Sequence, residues 1–132
     1  MVKIYKIDLL KIREALEACW DENTAYLTVN RKGNPALGQC YPTSWVVQHF
    51  FPETEIIKGK VWNGKKIEIH FWNGLTVNGT LYHIDLSWQQ FPVRSCVREF
   101  EILDRNNLHD SPSTVNRCKL LLARVNEYLG RI

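Results

Sequence analysis

The sequence has no C-x-x-C pair, no run of five or more basic residues, and no apolar stretch approaching the roughly 20 residues that cross a bilayer. Each absence removes a class of function. Without paired ligands, the four cysteines, Cys19, Cys40, Cys96 and Cys118, make neither a zinc ribbon nor a thioredoxin-type redox centre. No compact ligand spacing gathers the histidines and carboxylates either, so no metal and no cofactor are expected. The formal net charge of +3 is scattered. Pairs such as Arg31-Lys32 and Lys65-Lys66 read as solvated loop and turn charges, and nucleic acid is not an expected partner. The opening residues, Met1 to Asp8, lack the charged, apolar and small-residue zones of a signal peptide. The expectation is a cytoplasmic protein with no membrane partner and with its cysteines kept as thiols.

What is present is ordinary globular material. A length of 132 residues, 45% of them hydrophobic and 23% charged, predicts one domain over residues 1–132 with a core of its own. Asp8 can cap a helix running to Trp20, with Leu9, Ile12, Leu16 and Cys19 on its apolar stripe. Residues 21–39 break that pattern, and Asn30 to Pro35 has loop composition. A second helix is expected from Cys40 to Phe51, with Pro42 tolerated in its first turn and Pro52 stopping it. Strands are then expected at 55–62 and 65–72, joined by a two-residue Asn63-Gly64 turn, and at 80–88 and 97–103. Ser111-Pro112 opens a last helix that Gly130 closes. The order is helix, loop, helix, meandering antiparallel sheet, helix, an α+β domain. Alternation puts Ile67, Ile69 and Phe71 on one face of the sheet with Tyr82, Ile84, Leu86 and Trp88, and it puts His70, His83 and Asp85 on the other.

Chemistry concentrates at Cys40. Cys19 and Cys118 lie on apolar helix stripes, as buried cysteines do, and Cys96 is assigned a structural role near a strand start. Cys40 instead begins a helix, where unpaired backbone amides and the positive dipole end favour a thiolate and can also hold an oxyanion. A base is within reach of the hairpin register. If Asn78-Gly79 forms a two-residue turn, Val77 pairs with Thr80, His70 falls opposite Ser87, and Asp85 becomes the diagonal same-face neighbour of His70. Cys40 would then attack a carbonyl, His70 would carry its proton, and Asp85 would hold the imidazole. His83 is the competing base, although it stands beside Asp85 on one strand. The Cys40 N–H, with a side-chain amide from Gln39 or Asn34, is the candidate oxyanion hole. The substrate expected is a peptide or other amide or ester. The alternatives are a binding module that keeps the scaffold and a reactive-cysteine sensor.

The run Asn34-Pro35-Ala36-Leu37-Gly38-Gln39-Cys40, with Thr43, Val46-Val47-Gln48, Phe51 and Glu55-Ile56-Ile57, resembles the YunG-like bacterial proteins. So do His70-Phe71-Trp72-Asn73, Ile84-Asp85-Leu86-Ser87 with Gln90-Phe91, and Arg117-Cys118 before Leu121 to Val125. The resemblance covers about Asn30 to Leu129, and it implies that the motif histidine is His70 and the motif aspartate Asp85. The order of cysteine, histidine and aspartate is also similar to that of papain-like enzymes and bacteriocin-processing peptidases. This implies a papain-like fold with N-terminal helices on an antiparallel sheet and a C-terminal helix. Papain-like enzymes place an oxyanion glutamine about six positions before the nucleophile, where this sequence has the shorter Asn34.

Overall fold

The computed structural model describes residues 8–26 and 33–130. The opening heptapeptide and residues 30–32 of the expected loop lie outside the described residues. Helix α1, Leu9–Cys19, begins where Asp8 accepts a hydrogen bond from the Lys11 amide at 2.9 Å, the cap its sequence predicts. Its stripe of Ile12, Ala15 and Leu16 is fully buried against α2, Cys40–Phe50, and α3, Pro112–Gly130. Val46 and Val47 of α2 meet Leu121 and Val125 of α3 there, and Trp20 and Ala36 complete this helical core. No helix among the described residues is long and apolar enough to cross a membrane.

Four antiparallel strands follow: β1 (Glu55–Trp62), β2 (Ile67–Val77), β3 (Thr80–Ile84) and β4 (Cys96–Ile102), in the spatial order β3-β2-β1-β4. The molecule is α+β, as the periodicity implies. The β2–β3 turn is as expected. Asn78 and Gly79 both have positive φ, 51° and 82°, and Val77 pairs with Thr80. The β1–β2 turn is not. Trp62 pairs with Ile67, so residues 63–66 form a four-residue loop. Asn63 closes it, its Oδ1 accepting from the amides of Lys65 and Lys66 at 2.9 and 3.0 Å, a side-chain solution that competes with the tighter turn. β2 consequently starts later than predicted and runs on to Val77, whereas β3 stops at Ile84 instead of reaching Trp88.

The faces also differ from expectation. Ile67, Ile69 and Tyr82, on the face read as apolar, are 45%, 50% and 55% exposed, whereas His70 on the polar face is completely buried. The cause is where the helix crosses. α2 covers only the far part of β2, where Asn73 Nδ2 donates to the Ser44 carbonyl at 2.9 Å and Tyr41 packs edge-on against Phe71. The Ile67–Ile69 stretch is left to line an open cavity. On the other face, Trp72 lies back over β1, and this is possible because Gly59 opposite His70 has no side chain.

A methyl group at Gly59 would overlap the Trp72 ring, with Cζ3 at 2.6 Å and the Glu99 carbonyl at 3.0 Å. Gly59→Ala is therefore expected to destabilise the protein by about 1–3 kcal/mol, the usual cost of overpacking. Gly130→Ala, with nothing within 4 Å, is the control and is expected to unfold with the wild type in urea.

Candidate active site

Gly38, with φ of 76°, turns the chain into α2, so that Cys40 becomes the first helical residue. The first-turn amides of a helix have no intrahelical acceptor, and Cys40 sits half-buried among them. Its neighbours anchor this corner. Gln39 is fully buried, accepting from the Thr24 hydroxyl at 2.8 Å and donating to the Asp21 carbonyl at 2.9 Å. Asn34 accepts from the Ala36 amide at 3.1 Å, and its Nδ2 reaches the carbonyls of Gln89 and Gln90, each at 3.3 Å. Both side chains named from the sequence as oxyanion donors thus have their amides engaged in loop contacts. They tie the Cys40 corner to the turn after α1 and to the 88–90 segment.

His70 and Asp85 meet, but not as ladder neighbours, because the expected His70–Ser87 pairing does not form. The β2–β3 ladder ends at the Asn73–Ile84 pair, and Asp85 is the next residue beyond it. Freed from the ladder, its carboxylate reaches His70 Nε2 at 2.7 Å, while Oδ1 accepts from the Ser87 amide at 3.2 Å. His83 has a different partner. Its Nδ1 accepts from Trp72 Nε1 at 2.9 Å, and its ring lies edge-on to Phe100 at 5.2 Å on an exposed part of the same face.

The imidazole of His70 is enclosed by rings. Trp72 stacks on it at 5.5 Å, with Trp88 at 5.9 Å and Phe91 edge-on at 4.7 Å. Burial disfavours the charged ring, but the hydrogen bond to Asp85 and the nearby Cys40 thiol outweigh that effect and raise its pKa from 6.5 to about 9. Facing aromatic rings add favourable cation–π attraction. The group missed in the sequence is Gln90, whose Nε2 lies 3.0 Å from His70 Nδ1. It comes from a single 3₁₀ turn, Trp88–Gln90, that starts at the last residue of the stretch read as strand, and only its place in the family motif hinted at it.

Cys40 and Gln90 share a cavity of about 740 Å³. Its apolar wall includes Leu37, Ile67, Ile69 and Phe71, and its rim carries Lys58, Glu68, Asp104 and Arg117. None of the other cysteines lines it, and none of the four is in a disulfide. Cys118 is buried, which pushes its thiol up to about 12, and Cys96 is exposed. His49 and His109 are both exposed and away from this wall. Among the described residues no cluster of histidine, cysteine and carboxylate could hold a metal ion.

With Nε2–H given to Asp85, the basic nitrogen of neutral His70 is Nδ1. Its raised pKa has a thermodynamic consequence. Because the folded value, about 9, lies above the unfolded 6.5, the stabilisation is fully present below about pH 6.5 and is lost as pH rises through about 9. The advantage of the wild type over His70→Gln is expected to shrink by about 3 kcal/mol between about pH 6 and about pH 10. Urea titrations across that range check it, and a constant difference would mean that the ring is neutral when folded.

No curated protein and no solved structure matches the chain. One family model, described as YunG protein, matches residues 8–130, an interval that includes Cys40, His70, Asp85 and Gln90. The chain belongs to the YunG family.

Proposed function

We propose that the chain is a cysteine-dependent hydrolase or acyl-transfer enzyme on a papain-like scaffold, acting in the cytoplasm on an amide or ester bond. The observation that carries this reading is the Asp85–His70 pair at 2.7 Å, its imidazole fully buried, with a half-buried thiol at a helix N-terminus beside it. A buried imidazole held near 9 keeps its proton at neutral pH and supports a thiolate beside it, and that sulfur opens onto a cavity large enough for a substrate.

In the proposed cycle the Cys40 thiolate, paired with the protonated His70 ring, attacks the substrate carbonyl carbon. The carbonyl π pair moves to oxygen. As the tetrahedral adduct collapses, the leaving amine or alcohol takes the proton from Nδ1 and an acyl-enzyme thioester remains. Water, or another nucleophile in acyl transfer, gives its proton to the same nitrogen and releases Cys40. Asp85 keeps Nε2 in the donor role throughout and stabilises the charged ring. No step calls on a cofactor.

Two experiments test this. With iodoacetamide at about pH 6.5, Cys40 is expected to label ahead of Cys19, Cys96 and Cys118, because none of those joins a helix start to a base. Prior labelling of exposed Cys96 would remove the chemical basis of the proposal. His70→Ala is expected to slow Cys40 labelling at least about tenfold, Asp85→Ala less, and His83→Ala hardly at all. A larger effect of His83→Ala would transfer the base role to that residue. In turnover, Cys40→Ser is expected to fold normally and to be inactive, since an alcohol is a far weaker nucleophile at neutral pH. A variant that still turns over would place the chemistry elsewhere.

A further inference from the structure

Gln90 faces a ring nitrogen whose proton inventory changes during the reaction proposed above. Gln90 Nε2 lies 3.0 Å from His70 Nδ1, and with Nε2–H given to Asp85 a neutral ring accepts there from the Gln90 amide. In the charged ring, the form that pairs with the Cys40 thiolate, Nδ1 is a donor and can no longer accept. The Gln90 N–H must then leave it. If the carboxamide turns over, Oε1 accepts from the new Nδ1–H and the two N–H groups point away from His70. The side chain lines the same cavity as Cys40, so the released donor is available within it.

Its backbone keeps the side chain close to this position. The Gln90 amide donates to the Ser87 carbonyl at 3.1 Å, and Ser87 is itself tied to Asp85 Oδ1 at 3.2 Å. Its carbonyl accepts from Asn34 Nδ2 at 3.3 Å, on the loop that leads to Cys40. The carboxylate, the amide and the cysteine corner are thereby connected through one short segment. Gln39 and Asn34 have their amides engaged elsewhere, which leaves an oxyanion at Cys40 in need of a side-chain donor.

We propose that Gln90 supplies the second oxyanion donor of this site, its N–H kept off His70 by the same ring proton that supports the thiolate. This rests on the acyl-transfer reading of Cys40. When the thiolate attacks, a C–S bond forms, the carbonyl π pair moves to oxygen, and that oxygen accepts hydrogen bonds from the α2 terminus and from Gln90. When the adduct collapses, the pair returns, the leaving group takes the Nδ1 proton, and the neutral ring recaptures Gln90. The donor is present while negative charge develops and withdrawn when the charge is gone.

Two reagents separate this role from a merely structural one. p-Nitrophenyl acetate acylates a thiol through a tetrahedral oxyanion, whereas iodoacetamide alkylates it by displacement without one. Gln90→Ala is expected to slow acylation of Cys40 by about 100-fold, the usual loss for one oxyanion donor, while alkylation at the same pH stays within about threefold. Gln90→Glu, close in size but without an N–H, is expected to show the same split and serves if the alanine variant folds poorly. Equal losses with both reagents would overturn the proposal, because Gln90 would then act only by holding His70. Unchanged acylation in either folded variant would overturn it too. A wild-type Cys40 that acylates no faster than free glutathione would overturn the acyl-transfer reading itself and this proposal with it.

Discussion

A fully buried imidazole beside a carboxylate at 2.7 Å is the constraint around which this domain is arranged. Removing a charged ring from water costs several kcal/mol unless its hydrogen-bonding positions are filled. Here both nitrogens have partners, Asp85 on one and Gln90 on the other, and aromatic faces cover the remainder. Those requirements account for irregularities elsewhere. β3 stops at Ile84 so that Asp85 can leave the ladder, a 3₁₀ turn brings Trp88 and Gln90 over the ring, and β1 carries a glycine where Trp72 must lie.

The helix that presents the thiol is held in place by several independent ties. Asn73 fastens β2 to the Ser44 carbonyl, the Trp20 indole donates to Thr43 at 3.0 Å, and Gln48 reaches the Thr54 carbonyl at 2.9 Å just before β1. Each joins α2 to a different neighbour. Together they fix the helix terminus relative to His70 more tightly than apolar packing alone, because a shift of α2 would leave buried polar groups without partners. Placing a reactive group on rigid elements in this way is what a site requiring hydrogen-bond geometry needs.

Local rules made part of this legible. Asp8 before an apolar period of helical spacing, Asn78-Gly79 between two alternating runs, and Cys40 after Gly38 are signals whose physics lies within a few residues, and each leads to the observed element. The two-residue turn sets the β2–β3 register as far as Asn73 and Ile84 by the same short-range logic, and Asp85 reaches His70 from just beyond it. What escaped depends on long-range contacts. The direction of Gln39 is decided by Thr24 and Asp21, and the burial of His70 by rings from another segment. Exposure of Ile67 and Ile69 follows from where a helix happens to cross, which alternation along a strand does not encode. Even the Asn63-Gly64 turn failed for a local reason, a side-chain oxygen offering two amides an alternative to the ladder.

The rings that enclose His70 also give the site an optical character. A protonated imidazole quenches the fluorescence of an indole in contact with it, whereas a neutral one does so far less. Two of the five tryptophans, Trp72 and Trp88, lie with ring centres 5.5 and 5.9 Å from that imidazole. Trp72 is also hydrogen-bonded to His83, so its emission is exposed to a second histidine on its other side. The domain therefore carries a native luminescent readout of its own proton inventory, with no label attached. Trp88, which has no second histidine against it among the described residues, is the cleaner channel for the charge on His70.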